Sequence, residues 1–482
     1  MARGKVAVPL DLPRPAALHG AGAAKQDGAY AALRDAILGQ VLPAGSRLPS
    51  SRTLAARWQL SRGTVEAVFD RLRAEAYVSR APGSGTRVCA LVPERFLMAA
   101  YDAPAAPPAS AAPADTGARA GRPFVARQAD PALFPASAWS RHLARALAGA
   151  AGGVLCAADP AGLPALRALI ADYLASYRGI ACGADAVIVT TGIRNAFDLI
   201  ARSVLRPGDK VCMEDPGYQS ARKICALAGA AVALVPVGPD GIDCAALRGH
   251  ADARLAYVTP AHQAPLGVTM SVTRRLELLD WASDCGAWVV EDDYDSEFNY
   301  QSAPLAALKS LDKYGRVIYC GSFNKTLFAG LRVGFMVVPA ALRDVLMASW
   351  QATGRAVGVT EQLALADCLA SGAFVRHLRL ARRAYQERRD VVLAELAAGA
   401  PGRYTVSGQQ AGFHFVLWLP PDCDEAAFCA RAAACGLALE GLRDFSGAAR
   451  LAPAVLVGFS ALTVAQARFG ARQLAALLRA LP

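Results

Sequence analysis

Short apolar runs that alternate with helical ones constrain the fold of this chain more than any other feature. The runs at 187–190, 210–213, 255–258, 288–290 and 317–320 are apolar almost throughout and too short for helices. Strands buried on both faces of a parallel sheet have this texture. The helical segments between them predict a doubly wound α/β domain from about Phe124 onward. Past Ala341 the pattern becomes one long helix, roughly 359–397, and then a smaller α+β piece. No internal repeat is evident.

The first ninety residues obey a different rule. Residues 1–27 carry Pro9, Pro13 and Pro15 without periodicity and are expected to be a loose tail. Within 28–88, Tyr30, Leu33 and Ile37 share one helical face, and Ser50 or Ser51 can cap a second helix that turns Leu54, Ala55 and Trp58 inward. After a turn at Gln59 and Leu60, Ser61 caps a third helix with Val65, Val68, Phe69 and Leu72 as its buried stripe. Its opening residues Arg62, Gly63 and Thr64 are left free to meet a ligand. Tyr77 to Arg80 and Arg87-Val88 read as strands around a tight Gly-rich wing at 82–86. Two helices joined by a short turn, the second presenting its N-terminus, form helix-turn-helix geometry.

Charge agrees with that division. Residues 1–90 hold thirteen Lys/Arg against six Asp/Glu, and the remainder thirty-eight against thirty-four, within a total of +11. A basic head on a near-neutral body suits a polyanionic partner, although on charge alone a solvated basic surface explains it as well. Residues 89–122, with Ala103-Pro-Ala-Ala-Pro-Pro and Ala111-Ala-Pro-Ala-Asp, read as an Ala/Pro-rich linker, leaving 123–482 as the body. No apolar run reaches the ~20 residues that span a bilayer, and Met1 to Leu10 lack a signal-peptide core, so a cytoplasmic protein is expected. The twelve cysteines are scattered singly, without metal-ligand spacing, and are expected to be reduced thiols with no metal site.

In the body, polar residues gather where strands end, and strand C-terminal ends are where such sheets bind ligands. The run at 288–290 opens into Glu291-Asp-Asp-Tyr-Asp-Ser-Glu-Phe. The run at 317–320 leads to Gly321-Ser-Phe-Asn-Lys325, with Arg332 seven residues on. Ser322 and Arg332 can reach a phosphate. Thr191-Gly192 precedes a helix whose unpaired N–H groups form an anion site. Tyr218, in Asp215-Pro-Gly-Tyr, is the candidate stacking ring. A lysine amine beside a carboxylate, a phosphate cradle and a flat ring suits pyridoxal phosphate, which attaches to lysine as a Schiff base. Singly, each element reads as loop, surface or packing.

Leu48-Pro-Ser-Ser-Arg-Thr-Leu-Ala, Ser61-Arg-Gly-Thr-Val and Pro82-Gly-Ser-Gly-Thr resemble the winged-helix domain of the GntR family. That resemblance implies DNA contacts from Arg52, Ser61, Arg62 and Thr64, with Gly83 and Gly85 letting the wing backbone approach the minor groove. Glu66 stands where relatives carry basic or polar residues.

The strand-end elements, in this order, resemble fold-type-I aminotransferases. Glu291-Asp-Asp-Tyr-Asp-Ser-Glu-Phe, Thr259-Pro-Ala-His-Gln and Arg382-Arg-Ala-Tyr-Gln-Glu-Arg-Arg resemble the MocR subgroup of GntR regulators. The implied fold is a winged helix-turn-helix joined to a fold-type-I α/β domain with a small C-terminal α+β subdomain. The implied roles place the Schiff base on Lys325, the pyridine nitrogen on Asp292, the ring oxygen on Tyr294, and stacking on Tyr218. Phosphate falls to Ser322, Arg332, Gly192 and Ile193. His262 or Gln263 takes a place near the ring oxygen, and Arg443 is the candidate for an effector carboxylate. Departures fall at Ile193, Arg194, Asn195, Asn324, Ala261, Ala264 and Ser220.

A homodimeric transcription regulator is therefore expected: arranged head-to-tail, it would bind a double-stranded operator and respond to an amino compound or to pyridoxal phosphate itself. Routine turnover is not expected, though a slow half-transamination is compatible with the parts. A working aminotransferase carrying a DNA-binding appendage is the alternative.

Overall fold

The computed structural model describes residues 22–81, 85–90, 121–150, 152–156, 159–300, 306–353 and 357–481. Gly83 and most of the Ala/Pro-rich stretch lie outside them. The chain divides into two compact units, Met1–Ala114 and Asp115–Pro482.

Among its described residues the first unit holds three helices, α1 (Gly22–Leu38), α2 (Ser51–Trp58) and α3 (Arg62–Ala74), then a hairpin of β1 (Val78–Ala81) and β2 (Gly85–Val88). Leu33, Leu54, Trp58, Val65, Val68 and Leu72 meet in its core. Ser50 caps α2 and Ser61 caps α3, each side chain accepting the N–H three residues on. Gln59 takes a left-handed conformation at φ +54 and ends α2, which sets the turn. Ser51 is not the cap; it is buried, and its hydroxyl donates to Glu66 at 2.5 Å. Helix α1 reaches back into the stretch read as a loose tail. Apolar period is absent there, but Asp27 pairs with Arg71 of α3 at 2.9 Å and ties that turn down.

The second unit is built on β3 (Val187–Thr190), β4 (Lys210–Asp215), β5 (Ala231–Gly238), β6 (Gly241–Ile242), β7 (Ala253–Val258), β8 (Trp288–Asp293), β9 (Val317–Ser322) and β10 (Gly334–Val337). They lie in the order β3-β10-β9-β8-β7-β4-β5-β6. Strands β5, β4, β7, β8 and β9 are mutually parallel, whereas β10 runs antiparallel to both of its neighbours. The all-parallel expectation fails at β10 because its connection from β9 is too short, since a parallel crossover needs about a dozen residues or more. Two apolar clusters cover the sheet, one containing Phe197, Leu255 and Met336 and the other Val235, Leu278 and Val289.

The expected long helix is two helices, Val359–Ala370 and Ala373–Gly399. Gly372, at φ +68, breaks the run where a left-handed residue is needed. A four-stranded antiparallel sheet follows, β11 (Thr405–Ser407), β12 (His414–Trp418), β14 (Ala454–Gly458) and β13 (Glu440–Gly441) in spatial order, and the helix Val464–Arg479 comes after it. Among the described residues no helix is long and apolar enough to cross a membrane.

Candidate functional site

Topology brings the polar residues of the body to one edge. Strands β3, β4, β7, β8 and β9 deliver their C-terminal ends there, and β10, being antiparallel, starts there. Gly334 of β10 pairs with both Thr190 and Ser322, which sets the ends of β3 and β9 either side of it. A Cβ on Gly334 would lie 2.8 Å from the Gly192 Cα, so this close approach requires glycine.

Asp292, near the end of β8, is buried and accepts the Tyr257 hydroxyl of β7 at 2.5 Å. Burial pushes its carboxyl up to about 7; the Tyr257 bond opposes that rise, and Asp293, Asp295 and Glu214 add to it. Tyr218, after β4, lies with its ring 24° from that of Tyr257 at 6.4 Å, and its hydroxyl accepts Arg194 Nε at 2.9 Å. Tyr257 is absent from the sequence reading. Nothing in its apolar strand marks its hydroxyl as engaged.

Lys325 sits in a short helix, Phe323–Thr326, at the end of β9, and its Nζ donates to the carbonyl of Arg127. Burial and then the Arg127 charge bring its amine down to about 8, with Asp295 and Asp292 opposing. Beside it, Gly192 (φ +119) precedes the helix Ile193–Val204, and a Cβ there would fall 2.7 Å from Asn324 Nδ2. The first-turn N–H groups of Ile193 and Arg194 have no acceptor within that helix. The Ser322 hydroxyl accepts the Asn324 N–H at 3.2 Å, which leaves its own proton to donate. Asn324 bridges the cradle, donating to the Thr191 carbonyl at 3.3 Å and accepting the Val333 N–H at 2.9 Å. Arg332 is exposed at φ +54 and makes no hydrogen bond or ion pair among the described residues. Arg194, whose direction the sequence left open, is held on Tyr218.

His262 and Tyr294 lie together, with Tyr294 Oη 3.3 Å from His262 Nδ1. His262 Nδ1 also meets Asp295 Oδ2 at 2.8 Å, both residues being buried. Burial presses the imidazole down, but the Asp295 charge and hydrogen bond outweigh it and the net shift is upward. Gln263 spends its amide on Pro216, Glu214 and Ala264, and so braces the loop. Arg443 is exposed; its N–H is held by Glu425 at 3.0 Å, and it borders a cavity of about 430 Å³ with Arg450. The lysine, buried carboxylate, flat ring and glycine-lined helix start suit a planar aldehyde cofactor with an anionic tail.

On the head, Arg52 and Arg62 are exposed and make no hydrogen bond among the described residues. Ser61 and Thr64 engage each other, their hydroxyls 2.8 Å apart. Gly85, at φ +77, lies where a Cβ would meet Arg47 Nε at 2.6 Å, so the wing also brings up Arg47, which sequence reading missed. Glu66 faces inward. It takes Ser51 and then Arg80 Nη1 at 2.9 Å, and both bonds hold its carboxyl below the usual range. Arg62→Ala is expected to weaken specific DNA binding by about 1–3 kcal/mol, the size of one good base contact. A titration showing unchanged affinity would return Arg62 to the ordinary surface.

Residues 25–88 match the model of the gntR family of bacterial regulatory proteins, and residues 128–444 that of the class I and II aminotransferases. The probable rhizopine catabolism regulatory protein MocR of Rhizobium meliloti is 37% identical over 395 residues, 80% of each chain. The pyridoxine biosynthesis transcriptional regulator PdxR of Corynebacterium glutamicum is 34% identical over 73% of this chain and 74% of its own. Among solved structures, a kynurenine aminotransferase of Pyrococcus horikoshii aligns at TM-score 0.68 and 27% identity, over 73% of this chain and 89% of that one. This aminotransferase fold typically binds pyridoxal phosphate and typically dimerises. The chain belongs to the MocR-type helix-turn-helix regulators of the gntR family, with a DNA-binding head and an aminotransferase-like body.

Proposed function

We propose that this regulator senses an amino compound at Lys325, with pyridoxal phosphate as the group that reads it. The carrying observation is the half-buried Lys325, its Nζ donating to the Arg127 carbonyl and its neighbour Asn324 lying against Gly192, with the amine brought down to about 8. Pyridoxal phosphate would supply an aldehyde that condenses with amines. Lys325 would anchor it, and its lowered proton affinity leaves a sizeable neutral fraction near neutral pH. Asp292 would keep a proton on the ring nitrogen, with Tyr257 orienting the carboxylate. Tyr218 would cover the ring face, and Tyr294, next to His262, would meet the ring oxygen. Gly192, Ile193, Ser322 and Arg332 would take the phosphate.

The head would act as half of a head-to-tail homodimer on a two-part operator, with Arg52, Ser61, Arg62, Thr64 and the wing around Gly83 and Gly85 against DNA. Sensing requires that the amine bind two body states unequally. The test is a spectral titration of the cofactor-loaded protein with amines, read in parallel with DNA affinity. An amine that changes the spectrum and the affinity together is expected; spectral change with constant DNA affinity for every amine would refute the sensor.

A second reading, an active aminotransferase, is favoured by the assembly of Lys325, Asp292 and Tyr257 at one edge. Sustained turnover of amino and keto acids without DNA would establish it. A response to the cofactor alone, in line with the name of the Corynebacterium relative, would appear as DNA affinity that follows pyridoxal phosphate in the absence of amine.

A further inference from the structure

Arg127 stands in an unusual position. It is a non-glycine residue at φ +58, a left-handed conformation that side chains seldom adopt unless their surroundings impose it. Its surroundings are the pocket itself. Its carbonyl accepts Lys325 Nζ, its guanidinium lies over the Phe445 ring at 4.8 Å, and its Nη2 donates to Glu440 Oε2 at 2.5 Å. The two charged side chains are 25% and 18% exposed, so a small solute can reach them.

We propose that Arg127 is the receptor for an anionic group on the effector and that Glu440 is its placeholder. This rests on the amine-sensing reading and narrows it to amines carrying a carboxylate or sulfonate. The amine goes to the lysine end, and the acid takes the arginine fork from Glu440, since a guanidinium binds either carboxylate by the same paired donors. Arg443 is the weaker candidate, being exposed and turned toward a separate surface cavity with Arg450.

The exchange has a mechanical consequence. Glu440 belongs to β13, and the chain beyond it is stapled to the loop that carries Tyr218. Gly217 N–H donates to the Phe445 carbonyl at 3.1 Å. The Asp215 carboxylate takes the N–H groups of Gly447, Ala448 and Ala449 at 2.8, 2.9 and 2.8 Å. Releasing Glu440 and Phe445 from Arg127 therefore alters what holds the small sheet against the ring-stacking loop. An acid-bearing amine gains a lever on the subdomain that a plain amine lacks.

The test uses the full chain loaded with pyridoxal phosphate and four probes: 3-aminopropanoate, 2-aminoethanesulfonate, 4-aminobutanoate and n-propylamine. Binding is read from the cofactor's visible spectrum. Arg127→Gly suits the backbone at φ +58, which offsets part of the loss of the Glu440 and Phe445 contacts, and the thermal midpoint of the cofactor-free variant checks that it folds. For the acid-bearing probes that bind the parent, Arg127→Gly is expected to weaken binding about tenfold or more relative to n-propylamine, the cost of one charge-assisted pair, because the loss of the Arg127 charge near Lys325 acts on all four probes alike. Glu440→Gln, which removes the competitor, should tighten the same probes and leave n-propylamine unchanged. Equal losses for acids and n-propylamine, or a loss in Arg443→Ala with none in Arg127→Gly, would overturn the assignment while leaving amine sensing intact. Silence from all four probes in the parent would overturn both.

Discussion

Lys325→Ala is expected to abolish the visible absorbance that the protein acquires with pyridoxal phosphate, while DNA affinity stays within about tenfold of the parent, the head being a separate unit. A lysine must shed its proton before it can condense with an aldehyde, and the Lys325 site is arranged for that. Lys210 is paired with Asp252 at 2.6 Å and Lys309 with Asp312 at 3.1 Å. Lys313 is fully exposed and shifted the other way, mainly by its contact with Tyr314. The Lys325 amine is brought down to about 8, chiefly by burial. The absorbance should therefore vanish rather than fade. If it persisted in the variant, the cofactor would be attached elsewhere and the assignment of this pocket would fail.

Which parts of this arrangement were legible in the sequence follows from the range of the interactions involved. Strand ends and helix caps depend on neighbours a few residues away, and so β3 and the cap at Ser61 could be read directly and the other cap narrowed to Ser50 or Ser51. Asp292, Lys325 and Gly192 could be named because they follow apolar runs. Tyr257 could not, since its partner Asp292 is 35 residues away on the next strand. Arg127 lies in a stretch without periodicity and reaches Glu440 across 313 residues. The antiparallel β10 was missed for a related reason. Its direction is decided by the length of its connection, whereas periodicity reports only that a strand is buried. Glu66 stands where relatives carry basic or polar residues, and its half-buried carboxylate joins α3 to Ser51 of α2 and Arg80 of β1.

Asp292→Asn is expected to make the cofactor-free protein more stable and the cofactor weaker-binding, two effects of opposite sign from one atom exchange. The folded carboxyl is raised from 3.8 to about 7, chiefly by burial. Between those values the folded state holds a proton that the unfolded state has lost, so stability falls as pH rises through that window. By pH 8 the full penalty is present, roughly 4 kcal/mol at about 1.4 kcal/mol per pH unit. An amide does not ionise and can still accept the Tyr257 hydroxyl. It does bring two N–H donors into a buried site, a cost of about 1–3 kcal/mol if one stays unpaired. The net expectation is a gain of roughly 1–3 kcal/mol at pH 8 and near equality at about pH 5, from denaturant melts of the body at the two pH values. Glu291 and Glu297, also raised to about 7, titrate in both proteins and cancel in the difference, whereas Glu214, which acts on Asp292, is relieved of that repulsion in the variant and adds to its gain. In the loaded protein the sign reverses. A protonated ring nitrogen would lose its buried counter-charge, and removing one partner of such a pair costs about 3–5 kcal/mol, on the order of 100-fold or more in cofactor affinity. A variant less stable than the parent at both pH values would show that Asp292 is held as a stabilising anion by the fold alone. Burial of a costly carboxylate would then need no cofactor to account for it.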